Sequence, residues 1–117
     1  MKHIKPDQVE WIEGKGYKKG VFLKGVDLIS NKALIQYVTM DPHTEVKPHY
    51  HEKTTEVFYF LEGEGIFIIE EKIVNPVLGD VLVCEAKEVH HTKNKSDKIW
   101  KYIAFKTDVE GNDLFWD

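Results

Sequence analysis

The alternation of hydrophobic and polar positions along the chain predicts strands almost everywhere and a helix almost nowhere. Residues 21–23 and 26–29 are short and β-branched, with Gly25 between them. Residues 33–40 form a longer apolar stretch that ends at Asp41-Pro42. Further stretches cover residues 56–61, 66–70, 80–84, 89–93 and 99–106. Turn residues separate them: Glu62-Gly63-Glu64-Gly65 is good hairpin chemistry, and Asn75-Pro76 marks another turn. Only residues 6–13, with Pro6 at a first-turn position and Val9 and Ile12 following, can support a turn or two of helix. Short strands at regular spacing indicate a sandwich or a barrel.

Several of these strands are apolar on both faces. In residues 56–61 one alternation carries Glu56, Phe58 and Phe60, and the other carries Val57, Tyr59 and Leu61. One face must line the interior; the other needs cover from a second layer of strands or from another subunit. Trp100 and Tyr102 share one alternation, Ile103 and Phe105 the other, all four suited to a core or an interface. The tail, Leu114-Phe115-Trp116-Asp117, is aromatic; it suits docking on its own barrel or on a partner, or a frayed end.

Composition narrows the classes. The 117 residues suffice for one domain with a real core and no disulfide. The single cysteine, Cys84, reads as a small buried apolar residue. A net charge of −4 gives no reason to expect a nucleic-acid partner. No apolar run has the length of a membrane span, and the first residues lack the apolar core of a signal peptide; the expectation is a cytoplasmic protein. All 16 basic residues are lysines, so no guanidinium can clamp an anion, which must be held by lysine, backbone NH groups or a metal. Lys and Glu are abundant and Gln and Cys scarce, a composition that leans toward heat-adapted proteins.

Candidate chemistry gathers between Pro48 and Gly63. His49 and His51 are two apart, so on an extended strand both imidazoles point the same way and can share one metal ion. Glu56 shares its face with Phe58 and Phe60, a costly place for a carboxylate unless it is paired or metal-bound. His90 and His91 follow later, and only one of two adjacent strand residues can face inward. Three nitrogens and one carboxylate oxygen suit one divalent ion of Fe, Mn, Ni, Co or Zn. An octahedral ion with four protein ligands keeps two positions open, a feature of catalytic sites.

These spacings resemble the two motifs of the cupins. The first motif runs Gly, five residues, His-x-His, three or four residues, Glu, six residues, Gly; His49, His51, Glu56 and Gly63 fall on it. The second opens on a Gly and closes on a His, three intervening residues and an Asn; Gly79, His90 and Asn94 fall in register. The resemblance covers about residues 33–106 and selects His90 over His91. The departures stand at turn positions: His43 replaces the opening glycine, and Glu85 and Lys87 replace the Pro and Gly of the second motif.

The resemblance implies an all-β double-stranded β-helix, a jelly-roll cupin barrel. It would be a single domain over residues 1–117, with its core at about 20–106 and short extensions at either end. It implies metal ligation by His49, His51, Glu56 and His90, a small-molecule ligand, and a homodimer paired through the sheets. Tyr37, with Gln36 as the alternative, Phe58, Phe60 and Thr92 are the expected pocket residues. Tyr50 points away from the ligands, and Lys47 and Lys53 flank the ligand strand as solvated charges or as an attraction for an anion. Similar proteins include dioxygenases, decarboxylases and isomerases, with Glu56 as the residue that takes part in catalysis. The alternative is a non-catalytic protein that binds a small ligand through the metal, because fold does not dictate chemistry.

Overall fold

In the computed structural model of the protein, residues 1, 4–24 and 32–117 are described. Eleven strands run through them: β1 (Trp11–Glu13), β2 (Tyr17–Leu23), β3 (Leu34–Met40), β4 (Thr44–Tyr50), β5 (Thr55–Glu62), β6 (Ile66–Ile69), β7 (Lys72–Val74), β8 (Val81–Cys84), β9 (His90–Asn94), β10 (Trp100–Thr107) and β11 (Phe115–Trp116). They form two antiparallel sheets, ordered β1-β2-β3-β10-β5-β8 and β11-β4-β9-β6-β7. The fold is a double-stranded β-helix. The expected strand over residues 26–29 lies outside the described residues.

Two sequence expectations are corrected. The helix expected at residues 6–13 shrinks to a 3-10 turn, Pro6–Gln8, and residues 11–13 instead pair with β2 through Trp11↔Gly20. Val9 and Ile12 alone on one helical face are too few to hold a helix on the barrel, whereas an open sheet edge offers ready hydrogen bonds. The Glu62–Gly65 turn does not close a hairpin either. β5 and β6 lie in different sheets, so the segment arches from one layer to the other. Its glycines permit close packing. Gly63 has φ +83, and a Cβ there would lie 2.5 Å from the Ile99 carbonyl oxygen; a Cβ on Gly65 would lie 2.2 Å from the Trp100 ring. A hairpin does form just after it, β6–β7, and turns on Glu70 and Glu71 with φ of 47° and 70°. Both central residues are left-handed, as in a type I′ turn, but without the Asn-Gly pair that would have announced it.

The inward alternations of β3, β5, β6, β8 and β10 build the core. Val38, Met40, Phe58, Phe60, Phe67, Ile69, Cys84, Trp100, Tyr102 and Ala104 are buried together. Phe60 stacks on Trp100 at 5.6 Å and 10°, and Phe67 meets both Phe58 and Trp100. Asn94, fully buried, ties the strand ends at this closed end of the barrel. Its amide donates to the carbonyls of Met40, Asp41 and Lys98, and its oxygen accepts from Ser96. The two residues that replace motif glycines, His43 and Lys87, keep the glycine-like backbone with φ of 56° and 74°. No helix among the described residues is long and apolar enough to cross a membrane.

Candidate metal centre

The opposite end of the barrel is polar. His49 comes from β4, His51 from the residue just past it, Glu56 from the start of β5 and His90 from the start of β9. β4 and β9 are neighbours, with His49 directly opposite His90. One potential ligand atom from each of the four residues lies within 4.8 Å of all the others. On β9 the alternation buries His90, Thr92 and Asn94 and turns His91 outward.

Each histidine is oriented by a backbone carbonyl. Nδ1 of His49 lies 2.7 Å from the Lys47 oxygen, Nδ1 of His51 lies 2.5 Å from the Asp113 oxygen, and Nδ1 of His90 lies 3.0 Å from the Glu88 oxygen. A carbonyl can only accept, so each Nδ1 carries the proton and each Nε2 is left with a lone pair. The Nε2 atoms of His51 and His90 are buried without a hydrogen-bond partner. They face the Glu56 carboxylate, whose Oε1 lies 2.7 Å from His51 Nε2 and 3.4 Å from His90 Nε2. Lone pairs converging on a carboxylate repel unless a cation, either a proton or a metal ion, stands among them. The donor set therefore fits a divalent ion. The carbonyl contacts at Nδ1 are the outer partners that metal-binding histidines typically have.

The electrostatics agree. Burial and the neighbouring His90 push the pKa of His49 down to about 4, so its lone pair is free at neutral pH. Burial also acts downward on His51, but the adjacent Glu56 carboxylate, with the Asp113 carbonyl, outweighs it and raises the pKa. Burial favours the protonated form of Glu56; the Lys106 charge and the adjacent His51 and His90 rings prevail and hold the pKa well below the usual carboxylate range. Cys84, opposite Glu56 on β8, has its pKa raised by burial and by Glu56, so it stays a thiol, 3.2 Å from His90 Nδ1.

The cluster opens into a cavity of about 110 Å³. That is room for several water molecules or one small ligand. Phe58 and Thr92 line it, whereas Phe60 packs against Trp100 and is not among the lining residues. Gln36, rather than Tyr37, reaches the cavity; Tyr37 takes the outward alternation of β3 and packs against Trp11 and Phe22. Tyr50 stacks on Phe115, and His43 sits in an exposed loop 2.7 Å from Asp97. Lys47 and Lys53 pair with Glu45 and Glu110 at the surface, away from the cavity. The lysines on the cavity wall are Lys19 and Lys106.

The tail is also part of the site. β11 pairs with the ligand strand through Phe115↔Tyr50 and Trp116↔His49. Leu114 and Trp116 line the cavity, and the Trp116 ring lies 5.3 Å from that of His49. The Asp113 carboxylate collects the backbone NH groups of Glu52, Lys53 and Thr54, and this holds its own pKa down to about 2 although burial acts the other way.

Residues 36–106 match the sequence profile of the Cupin domain family. The chain is a cupin. This cupin is 30% identical over 103 residues to the oxalate-binding protein of Thermotoga maritima, spanning 86% of this chain and 85% of the relative. Solved structures agree on the fold. A protein described as a predicted oxalate decarboxylase from Thermotoga maritima superposes with a TM-score of 0.81 at 24% identity, covering 92% of this cupin and 100% of that chain. The polyketide cyclase RemF from Streptomyces resistomycificus superposes with a TM-score of 0.83 at 15% identity, covering 99% and 84%.

Proposed function

We propose that this cupin is a metal-dependent enzyme acting on a small polar molecule, of the dioxygenase, isomerase or decarboxylase type. His49, His51, Glu56 and His90 hold one divalent transition ion, of Fe, Mn, Ni, Co or Zn. The observation that carries the reading is the pair of buried, unpartnered Nε2 atoms aimed at the Glu56 carboxylate. Such an ion, when bound, supplies Lewis acidity and, with iron or manganese, an electron for dioxygen.

The chain's own residues supply the rest. Phe58 and Phe67 keep bulk water from the inner wall of the cavity. Gln36 and Thr92 offer hydrogen bonds that orient a ligand. Glu56 is the catalytic residue: one carboxylate oxygen faces the histidines and the other lies 3.9 Å from Lys106 Nζ, so a proton can be held or passed between the cluster and the lysine.

A second reading rests on the oxalate-binding relative: the same site binds a small acid and makes or breaks no bond. Oxalate is therefore the first ligand to test. Metal-loaded protein that consumes oxalate or dioxygen, and loses this in Glu56→Gln, supports the enzyme. A saturable rise in melting temperature with oxalate and no turnover supports the binding protein.

We also read the outer face of the β5–β8 pair as a contact between two copies of the chain. Tyr59 and Val81, cross-strand partners, are 46% and 61% exposed, and Val83 and Ile103 extend the apolar face. Tyr59→Lys is expected to shift a dimer to monomer in analytical ultracentrifugation.

A further inference from the structure

Two lysines face into the barrel beside the four-residue cluster. Lys19 takes the inward alternation of β2, opposite Val38, and Lys106 takes that of β10, directly opposite Glu56. Both line the cavity, and the Lys106 side chain is only 17% exposed. Lysines are rarely turned into a barrel interior, because burying an ammonium costs several kcal/mol unless it is paired. Glu56 lies 3.9 Å from Lys106 and is, among the described residues, the carboxylate whose charge acts on Lys19. One carboxylate cannot balance two ammonium groups, still less when it is also shared with three histidines. The surplus positive charge sits on the wall of a small cavity that is otherwise lined largely by apolar and neutral side chains. It stands apart from Lys32, Lys47, Lys53 and Lys101, surface lysines that each have a carboxylate partner.

We propose that Lys19 and Lys106 form an anion subsite beside the His49–His51–Glu56–His90 cluster, so that the cavity takes a small acid carrying a second negative group besides the one that meets the cluster. The chain has no arginine, and these two lysines take the place that a guanidinium would fill. Gln36, between them on β3, adds a neutral hydrogen-bonding group to the same wall. The cavity size restricts the ligand to a short dicarboxylate or similar dianion. This deepens the metal reading and rests on it.

The test uses Co(II)-loaded protein, whose visible absorption reports both metal uptake and changes at the ion without any turnover. S-malate and S-lactate are matched probes that share the hydroxy-acid end and differ in the second carboxylate. Wild type is expected to bind malate at least about tenfold tighter than lactate. In Lys19→Met the preference shrinks to about twofold with lactate affinity unchanged, and Lys19→Arg restores it. Lys106→Met loses it in the same way. Should the variants not fold, added chloride in wild type weakens malate binding more steeply than lactate binding. A Lys19→Met protein that keeps the wild-type preference, or a wild type with equal affinities or equal salt dependence, overturns the lysine assignment while the metal reading stands. A chain that takes up no Co(II) overturns both.

Discussion

The two ends of the barrel are built by the same strands and do opposite things. Along the inward face of β5 the side chains run Glu56, Phe58, Phe60; along β9, His90, Thr92, Asn94; along β10, Lys106, Ala104, Tyr102, Trp100. Each strand passes from an ionisable group at the open end to large rings or a bracing amide at the closed end. The closed end is satisfied by itself, with stacked rings and an asparagine whose hydrogen bonds are all made within the chain. The open end is not, since it leaves Nε2 atoms and two ammonium groups without sufficient counter-charge. Stability is concentrated at one end of a rigid tube, and unmet polar demand at the other.

The largest effect is expected where the closed end is opened. Trp100→Ala removes a fully buried ring against Phe60, Phe67 and Tyr102, and should cost about 3–5 kcal/mol in urea unfolding, with or without metal. If instead the loss depended on metal, the two ends would not be separable. At the open end, free ion at about 100 times its dissociation constant should add about 2.7 kcal/mol, which chelator or His49→Ala removes while the aromatic plug is unaffected. The raised His51 pKa means that a proton competes for Nε2 up to a higher pH than at an ordinary histidine. Metal uptake should therefore release a proton, and weaken as pH falls, in a weakly buffered titration.

The tail tests how far the open end is held from outside the barrel. Asp113→Asn leaves the NH groups of residues 52–54 with a poorer acceptor and should cost about 1.5–3 kcal/mol. The Asp113 pKa is depressed from 3.8 to about 2, so the native contribution is full above the ordinary value and disappears as pH falls toward 2. The stability gap between wild type and Asp113→Asn should narrow across that window. The smallest effect is at Lys87, whose φ of 74° suits glycine: Lys87→Gly should raise stability by about 0.5 kcal/mol, the relief of left-handed strain less glycine's entropy.

The two ends also differ in how legible they were in the sequence. Period-two alternation carried the closed end and the shared direction of His49 and His51, because both depend on which way a strand residue points; the choice of His90 over His91 came from the resemblance to the cupin motif. The same alternation places Lys106 in line with Trp100, Tyr102 and Ala104, although a lysine at a strand end gives no signal of its own. Lys19 lies before the strand that the pattern predicts at residues 21–23, whereas β2 begins at Tyr17. Sheet membership could not be read locally: Glu62–Gly65 has hairpin chemistry, yet arches between layers because Trp100 packs against Gly65. The role of Asp113 had no signal at all, since its partners lie about sixty residues away and are backbone NH groups.

The most direct measurement is metal content by elemental analysis of untagged protein purified without chelator, beside a His49→Ala/His51→Ala control. The account predicts about one transition ion per chain in the wild type and almost none in the control, with both proteins folded. A wild type that is empty and cannot be loaded at neutral pH would contradict it, and the Nε2 atoms facing Glu56 would then be held by a proton alone.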